Sequence, residues 1–466
     1  MSTFYISHNG GASTPLLTPN IIAAVINRYN LDVETLTLTV ATPDLYAAPI
    51  YAYGDTIRIY RDGTCIFVGT ITTLPATGRA GEERRTYVAS SAWWKLQRII
   101  YQQPYVKKSE DFTTFLGSYS TKVVLGQDSW GRKITTNYQI TDIVSYAAGH
   151  GSGLSLGAAL ATLVTPYLQE ARDITCADAI RRMIALSPDC VGWCDYSTGS
   201  CLMRLQRRAA LSTLTLDLAD KNLVEVLSNI GPRNDLLIRG VLFTYITTAE
   251  DADGKTWTRE TRDTAGAITG EGVVAATIEL ANQGTAQAET VPAGLAAAFY
   301  AARGTLQWQG SIRLKQRDCT GALRPGLVLN LANGATAWAT MNATVQAVTE
   351  DLLAGTTDAE FGPPEHLGPQ DFVAIMTPFR ERKPASDFSA KQHNGTEGID
   401  VEDPSDEFPT VPVAPPAEGE VDPPTPTPSD DKALPPQPPG MFSTVDIVGC
   451  VDDVPAVFRA VGTRIS

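Results

Sequence analysis

The chain has 466 residues and a formal charge of −14 at pH 7, with 43% hydrophobic and 19% charged residues. This length suggests about two to four domains with hydrophobic cores, which excludes a peptide hormone and a wholly disordered protein. The negative charge argues against a general nucleic-acid binder, because such affinity depends on Lys and Arg at phosphates. No apolar run approaches the ~18 residues of a membrane span, and the N-terminus lacks the regions of a signal peptide. We therefore expect synthesis in a cytoplasm, and the seven scattered cysteines agree with a reducing compartment.

The first hundred residues are dominated by short alternating segments that predict antiparallel strands. Asp62-Gly63 separates two of them, and such a pair is typical of a two-residue hairpin turn. Several short strands with tight turns indicate a small antiparallel barrel or sandwich. One helix is predicted from Pro19 to Arg28, with Thr18 as its N-cap. The predicted strands are 35–40, 55–61, 64–68 and 84–89.

The middle of the chain predicts a helix followed by a hairpin, which is an α+β arrangement. From Ile174 to Leu186 the apolar residues recur at helical spacing, with Thr175 or Asp173 as alternative N-caps. Two strands follow, at 191–196 and 202–207. The polar stretch from about Tyr101 to Gly157 is left without assigned elements.

A second strand-rich region covers roughly residues 235–372. It contains an alanine-rich helix from Ala293 to Arg303. Two small β modules in one chain, with an α+β insert between them, would follow from this pattern. The predicted strands of the second region are 236–246, 273–280, 305–314, 327–331 and 343–350.

The composition changes sharply at Glu381. Residues 381–440 hold 14 prolines and 13 acidic residues but only four basic ones. Such a stretch cannot bury enough apolar area to fold, so we expect an extended acidic linker. Residues 441–466 become apolar again, and we expect them to dock on another subunit, with a frayed terminus as the alternative. The residues expected to make this contact are Val445, Ile447, Val448, Val451, Val457 and Phe458.

The predicted fold class is therefore mainly β with an α+β insert, built from two small antiparallel β-barrel modules and a Pro-rich acidic extension. The expected domains follow the chain in order. They are a first β-barrel module at 1–100, an α+β insert at 101–234, a second β-barrel module at 235–380, the linker at 381–440 and the docking segment at 441–466.

One short stretch matches the nucleophile motif G-x-S-x-G, with Ser155 at its centre. That motif needs a strand, a sharp turn and a helix, followed by an acid and a histidine. Downstream the chain offers only His366, between prolines, and His393, in the linker. A glycine-rich loop before a helix is the preferred interpretation, so we predict no catalytic residue and no cofactor.

Cys190, Cys194 and Cys201 have a spacing that suggests zinc. A structural zinc site needs four ligands, and no fourth Cys or His is close in sequence. We therefore predict no metal site and interpret these cysteines as small buried side chains. The pair Trp93-Trp94 allows a sugar platform, but packing at the barrel edge or a subunit contact is the expected role.

Three stretches resemble a known family. Residues 60–71 contain a hairpin whose second strand has the pattern F-x-G-x-I, and residues 214–218 followed by 234–241 are similar to the entry into a second barrel. The stretch 361–372, Phe-Gly-Pro-Pro-Glu-His-Leu-Gly-Pro-Gln-Asp-Phe, is similar to a module end. Over roughly residues 30–375 this order resembles the phage tail hub and baseplate hub proteins, a family that includes proteins of related contractile injection machines.

The resemblance implies a structural virion protein of the tail, made in the bacterial host cytoplasm. Tail hubs are trimers in which two barrels from each chain form a ring of six parts that matches the tail tube and passes DNA. The implied partners are two further copies of the chain, a tail tube or distal tail protein ring, tip, spike or fibre proteins, and a tape measure protein. Specific nucleic-acid recognition and a membrane span are not expected.

Two other functions remain open at this stage. The Trp and Tyr content with the β modules is compatible with a receptor- or glycan-binding tail protein. A hydrolase of the cell envelope would depend on Ser155.

The negative charge lies mostly outside the predicted fold. Residues 381–440 contribute −9 and the last 26 residues −1, which leaves −4 for residues 1–380. The nearly neutral body is compatible with a passive passage for DNA.

Overall fold

A computed structural model describes residues 3–42, 48–74, 76–77, 84–108, 114–130, 132–157, 163–166, 168–220, 224–250, 255–280, 291–315, 323–363, 446–451 and 454–459. The chain divides into two compact units, Met1–Glu407 and Phe408–Ser466. The linker 381–440 lies outside the described residues.

The main β-sheet has two halves, which come from different parts of the chain. The first half, called the first half-sheet, consists of the eight strands between residues 4 and 90. Its strands bury every second side chain, as Leu36, Leu38 and Val40 show, so one face packs against a core. At the turn between the fifth and sixth strands, Asp62 and Gly63 both have positive φ, as a type I′ hairpin requires. The strands are β1 (Phe4–His8), β2 (Thr14–Pro15), β3 (Ile21–Tyr29), β4 (Thr35–Ala41), β5 (Thr56–Arg61), β6 (Thr64–Thr73), β7 (Ala76–Thr77) and β8 (Arg84–Ser90).

The helix predicted from Pro19 to Arg28 is wrong, because this segment is strand β3. It pairs with β4 on one side, and its residues Ala24, Ile26 and Arg28 alternate inward. A register shift between Ile21 and Ala23 breaks the alternation at the start of the strand. The two-residue period is therefore hidden at the start of the strand, a few residues after the predicted helix cap Thr18.

The insert region, residues 92–207, packs three helices and a hairpin on the core of the first half-sheet. The predicted second helix is confirmed, and its N-cap is Thr175, whose side chain accepts a hydrogen bond from the backbone N–H of Asp178. The unassigned stretch 101–157 contains four strands and a long helix. The elements are α1 (Ala92–Leu96), β9 (Gln103–Lys108), β10 (Thr114–Ser120), β11 (Lys122–Leu125), α2 (Thr136–Gly149), β12 (Leu154–Leu156), β13 (Gln169–Arg172), α3 (Cys176–Ala185), β14 (Cys190–Asp195) and β15 (Cys201–Arg207).

The rest of the body contains a second half-sheet and a separate three-stranded sheet. The predicted alanine-rich helix is present and covers the three-stranded sheet, where Phe299 packs edge-on against Phe243. The second half-sheet is β16 (Ser212–Asp217), β17 (Val224–Arg233), β21 (Gln307–Lys315), β22 (Leu327–Ala332), β23 (Ala343–Asp351) and β24 (Thr356–Phe361), and the three-stranded sheet is β18 (Gly240–Glu250), β19 (Thr256–Gly266) and β20 (Val273–Leu280) with helix α4 (Leu295–Arg303).

The two half-sheets form one continuous sheet, in which β3 of the first pairs with β23 of the second. Its main order is β17-β21-β24-β23-β3-β4-β8-β6-β5-β1-β2, with β16 and β22 attached beside β23 and β7 beside β8. β16 and β17 precede residue 235, yet both pair with strands of the second half-sheet. The mainly β class with an α+β insert is confirmed. Among the described strands no pairing closes either half-sheet into a barrel.

The C-terminal unit contains a described hairpin. Its strands β25 (Asp446–Val451) and β26 (Val454–Arg459) pair antiparallel, with Ile447 opposite Phe458 and Val448 opposite Val457.

Candidate functional site

The joint between the half-sheets is the part of the chain that fixes its two β regions relative to each other. Five consecutive residue pairs join β3 to β23, from Tyr29 opposite Ala347 to Val25 opposite Asp351. The backbone N–H of Leu352 also donates to the carbonyl of Ala24, at 2.9 Å. The half-sheets are therefore connected by a backbone ladder and not by side chains alone.

Amide and hydroxyl side chains reinforce this ladder. The hydroxyl of Thr349 donates to Oδ1 of Asn27 at 2.9 Å. At the end of β3, the Asn30 side chain donates to Oε1 of Gln346 at 3.0 Å, and the Asn30 backbone N–H donates to the Gln346 carbonyl. These bonds pin the register of the two strands.

Three buried charged side chains at the joint, Glu350, Arg28 and Arg61, form an ion triad. Oε2 of Glu350 is 2.5 Å from Nη1 of Arg28, and its Oε1 is 2.8 Å from Nη2 of Arg61. The Arg28 guanidinium also donates to the carbonyl of Ile66 at 3.0 Å. The Glu350 side chain is only 2% exposed, and the two arginines 9% each. Three strands from both half-sheets thus meet at one carboxylate.

Burial by itself would raise the pKa of Glu350, but the charges of Arg28 and Arg61 and their hydrogen bonds lower it below its ordinary value. The carboxylate stays ionised, as the two guanidinium groups require. A buried ion cluster adds little net stability over an apolar core, but losing one partner is costly, so its effect is to select this arrangement of strands.

A second buried carboxylate, Glu34, lies beside the triad at the start of β4. Its Oε2 accepts a hydrogen bond from the Tyr196 hydroxyl at 2.7 Å, and its Oε1 has no partner among the described residues. Burial raises the pKa of Glu34 to about 7, against the opposing charge of Arg28. Glu34 therefore titrates near neutral pH while Glu350 does not.

Hydrogen bonds from the insert region hold the turn between β3 and β4. The backbone N–H of Gly192 donates to Oδ1 of Asn30 at 2.9 Å, and Arg181 donates to the Leu31 carbonyl and to Asp32. A Cβ on Gly192 would lie 2.3 Å from Cδ2 of Leu31, so an added methyl group would have to displace the Leu31 side chain. The joint is thus held from the first half-sheet, the second half-sheet and the insert region at once.

The two ends of the continuous sheet are different. One end is β17, a ten-residue strand with Val226 and Leu227 45% and 38% exposed. The other end is formed by β1 and the two-residue strand β2. An edge strand with exposed apolar side chains is a template for pairing with another chain.

Ser155 does not lie in a nucleophile elbow. It is exposed in the middle of strand β12, which runs parallel to β15. The glycine-rich stretch follows helix α2 and leads into a strand, so the expectation of a loop before a helix is also wrong. His366 and His393 lie outside the described residues.

The structure separates Cys190 from the other two cysteines of its group. Cys190 lies opposite Arg207, whereas Sγ of Cys201 is 3.1 Å from Sγ of Cys194. Among the described residues, no three His, Cys, Asp or Glu side chains are grouped as a metal ion requires. Cys190 and Cys201 are buried, as the sequence interpretation expected.

The two tryptophans of helix α1 have separate roles. Trp93 is 2% exposed and belongs to the main core, with the Arg181 guanidinium 5.5 Å from its ring centroid. Trp94 is half-buried under Arg98, at 4.6 Å. Because one ring is buried and the other is covered by an arginine, the pair does not form a flat sugar platform.

The expected docking residues fall in the C-terminal hairpin. Ile447, Val448 and Val451 are in β25, and Val457 and Phe458 are in β26. Val445 lies outside the described residues. Their contact with another subunit stays a prediction.

The sequence interpretation missed the charged residues of the joint. Arg28, Arg61 and Glu350 each occupy an inward position of a strand, in line with Ile26, Ile59 and Val348 respectively. A charge at an inward position is the signal that identifies them.

In the part of the chain that the structure describes, no helix is long and apolar enough to cross a membrane.

No protein-family model and no curated protein matches the sequence. The fold is similar to three solved tail proteins. The tail protein from Neisseria meningitidis MC58 is 12% identical with a TM-score of 0.45, covering 79% of this chain and 98% of that one. Prophage tail protein gp18 from Listeria monocytogenes EGD-e is 9% identical with a TM-score of 0.46, covering 81% and 98%. The 43 kDa tail protein of prophage MuSo2 from Shewanella oneidensis is 13% identical with a TM-score of 0.47, covering 78% and 100%.

The resemblance to phage tail proteins that the sequence indicated is confirmed. The TM-scores of these three structures are below 0.5.

Proposed function

We propose that this chain is a structural tail protein, a trimeric hub that connects a tail tube to the tail tip and lines part of the DNA passage. The observation that carries the proposal is the β3–β23 joint. It makes two β regions of one chain into a single plate, because a backbone ladder and a buried ion triad hold them together.

A single sheet made of two β regions suits a protein that connects a trimeric ring to a six-fold tube. Three copies would present six half-sheets, which is the number needed to meet a six-fold tube. The ends of the sheet, β17 and β1–β2, differ from each other, so a contact between them is head-to-tail. Head-to-tail contacts that close give rings.

The charge distribution of the chain supports the proposed DNA passage. Residues 1–380 carry only −4, while the linker carries −9. A body without excess positive charge would let DNA pass without the strong phosphate contacts that hold it. The segment 441–466 would then recruit a tip, spike or fibre protein through its hairpin, from the end of the linker.

The test is the oligomeric state of the full purified chain. Native mass spectrometry and negative-stain averaging should show a trimer and a ring with six similar parts. A stable monomer at micromolar concentration, with no ring in a preparation of assembled tails, would contradict the proposal.

A row of aromatic rings favours glycan binding as a second candidate. The Tyr146 ring centroid is 4.2 Å from that of His150 and 6.1 Å from that of Tyr119, and Tyr119 is 59% exposed. Aromatic faces of this kind stack on sugar rings. Binding to cell-wall polysaccharide that Tyr119→Ala weakens and Tyr53→Ala does not would support it; Tyr53 is similarly exposed, at 63%.

A further inference from the structure

Two cysteine sulfurs are in contact at the end of the β14–β15 hairpin. Cys194 lies opposite Met203, and Cys201 is two positions before Met203, so both side chains are on the same face of the hairpin. Their Sγ atoms are 3.1 Å apart. A disulfide bond needs about 2.0 Å between sulfurs, so the two sulfurs lie about 1 Å beyond bonding distance.

The other fully described cysteines do not share this arrangement. Cys65, Cys176 and Cys190 are buried in separate places, and the only described hydrogen bond of the Cys65 thiol goes to a backbone carbonyl. Cys201 is 3% exposed, and Cys194 is partly exposed.

The surroundings make the pair slow to react. The hydrogen bond with Cys201 and burial raise the pKa of the Cys194 thiol well above its ordinary value, and the nearby Glu34 carboxylate acts in the same direction. Since the thiolate is the reactive form, oxidation at neutral pH is slow and is measured at equilibrium.

We propose that Cys194 and Cys201 are a modification site that forms an intramolecular disulfide when the protein meets a small disulfide oxidant such as glutathione disulfide. The Cys194 thiolate attacks one sulfur of the oxidant and releases one thiolate. The Cys201 thiolate then attacks the Cys194 sulfur of the mixed disulfide and releases the second thiolate. Two protons leave the protein thiols, and the two electrons reduce one oxidant molecule to two thiols.

The bond would staple the hairpin beside the joint. Tyr196 lies between the two cysteines in sequence, and its hydroxyl donates to Glu34. Closing the short loop from Cys194 to Cys201 would restrict the turn that carries Tyr196. The site does not depend on the proposed hub function, because it rests on the hairpin alone.

The experiment uses the full chain, equilibrated with glutathione disulfide or with reduced glutathione, then denatured and alkylated with N-ethylmaleimide. Intact mass should show two fewer adducts among the seven cysteines after oxidation, with no bound glutathione. Chymotrypsin cuts after Tyr196, between the two cysteines, so the oxidised digest should contain two peptides that separate only on reduction. This map needs no variant and is independent of any folding defect.

Variants identify the partners. Cys194→Ser and Cys201→Ser should each abolish the loss of two adducts, while Cys190→Ser, on the same strand, should retain it. Seven adducts after oxidation, or a peptide map that links Cys194 to a cysteine other than Cys201, would overturn the proposal.

Discussion

Arg28 and Glu350 are 322 positions apart in sequence, and their Nη1 and Oε2 atoms are 2.5 Å apart in the fold. Arg61 completes the group from a third strand. The joint between the half-sheets therefore connects segments that are far apart in sequence. It is made by backbone pairing and by a carboxylate that two arginines share.

Removing the shared carboxylate should destabilise the body strongly. Glu350→Gln leaves two arginines buried without an ionised partner, and the expected loss is about 3–5 kcal/mol. Urea unfolding followed by tryptophan fluorescence measures it. Glu360→Gln, on the exposed side of β24, is the matched control and should shift the free energy of unfolding by less than about 0.5 kcal/mol. Equal midpoints for the two variants would show that the triad does not hold the joint.

Glu34 should make stability depend on pH near neutrality. Its pKa is raised to about 7 in the folded chain from an ordinary 4.5, so the folded state binds the extra proton between these values. This contribution is fully present below pH 4.5 and is lost as the pH rises through 7. Relative to Glu34→Gln, the wild type should lose about 3 kcal/mol over that interval.

Urea midpoints of the wild type and Glu34→Gln, measured at several pH values, give this difference. Glu360→Gln controls for the loss of a surface carboxylate. Parallel pH profiles for the wild type and Glu34→Gln would contradict the interpretation.

The contact at Gly192 should be sensitive to an added methyl group. Gly192→Ala places a methyl group against Leu31 and Leu205, and the expected cost is about 1–3 kcal/mol. Gly149→Ala is the control, because nothing lies within 4 Å of its added Cβ at the end of α2. Thermal unfolding of both variants should show a loss only for Gly192→Ala.

The end strand β17 should carry the contact between copies. Val226→Lys adds a charge at this edge and should weaken trimer formation at least about tenfold. Ile268→Lys changes a residue of similar exposure, 46% against 45%, between β19 and β20 of the three-stranded sheet. Mass photometry over a dilution series compares them, and a trimer that survives Val226→Lys unchanged would place the contact elsewhere.

Truncation after Arg380 should leave the trimer intact and remove binding of a distal partner. The reason is that the joint and both sheet ends lie before this point. A second truncation after Gly440 removes only the docking segment and should have the same effect on the partner. If either truncation prevents trimer formation, the docking role assigned to 441–466 is wrong.

The sequence allowed the strands with clean alternation to be predicted, such as β4 and the β5–β6 hairpin with its Asp62-Gly63 turn. It misled at β3, where a register shift after Ile21 hides the two-residue period. Strand β19 was missed because most of its described side chains are exposed, so nothing in its pattern marks a buried face. The joint could not be predicted, because pairing between strands more than 300 positions apart leaves no local pattern.

The β3–β23 pairing also sets an order of events during synthesis. β4 can pair with one side of β3 early, but the other side has no partner until β23 has left the ribosome. At about 5–20 residues per second, that interval is roughly 15–65 s. Throughout it, an unpaired edge and two arginines that later become buried are exposed to water, so a newly made chain is prone to aggregate until β23 arrives.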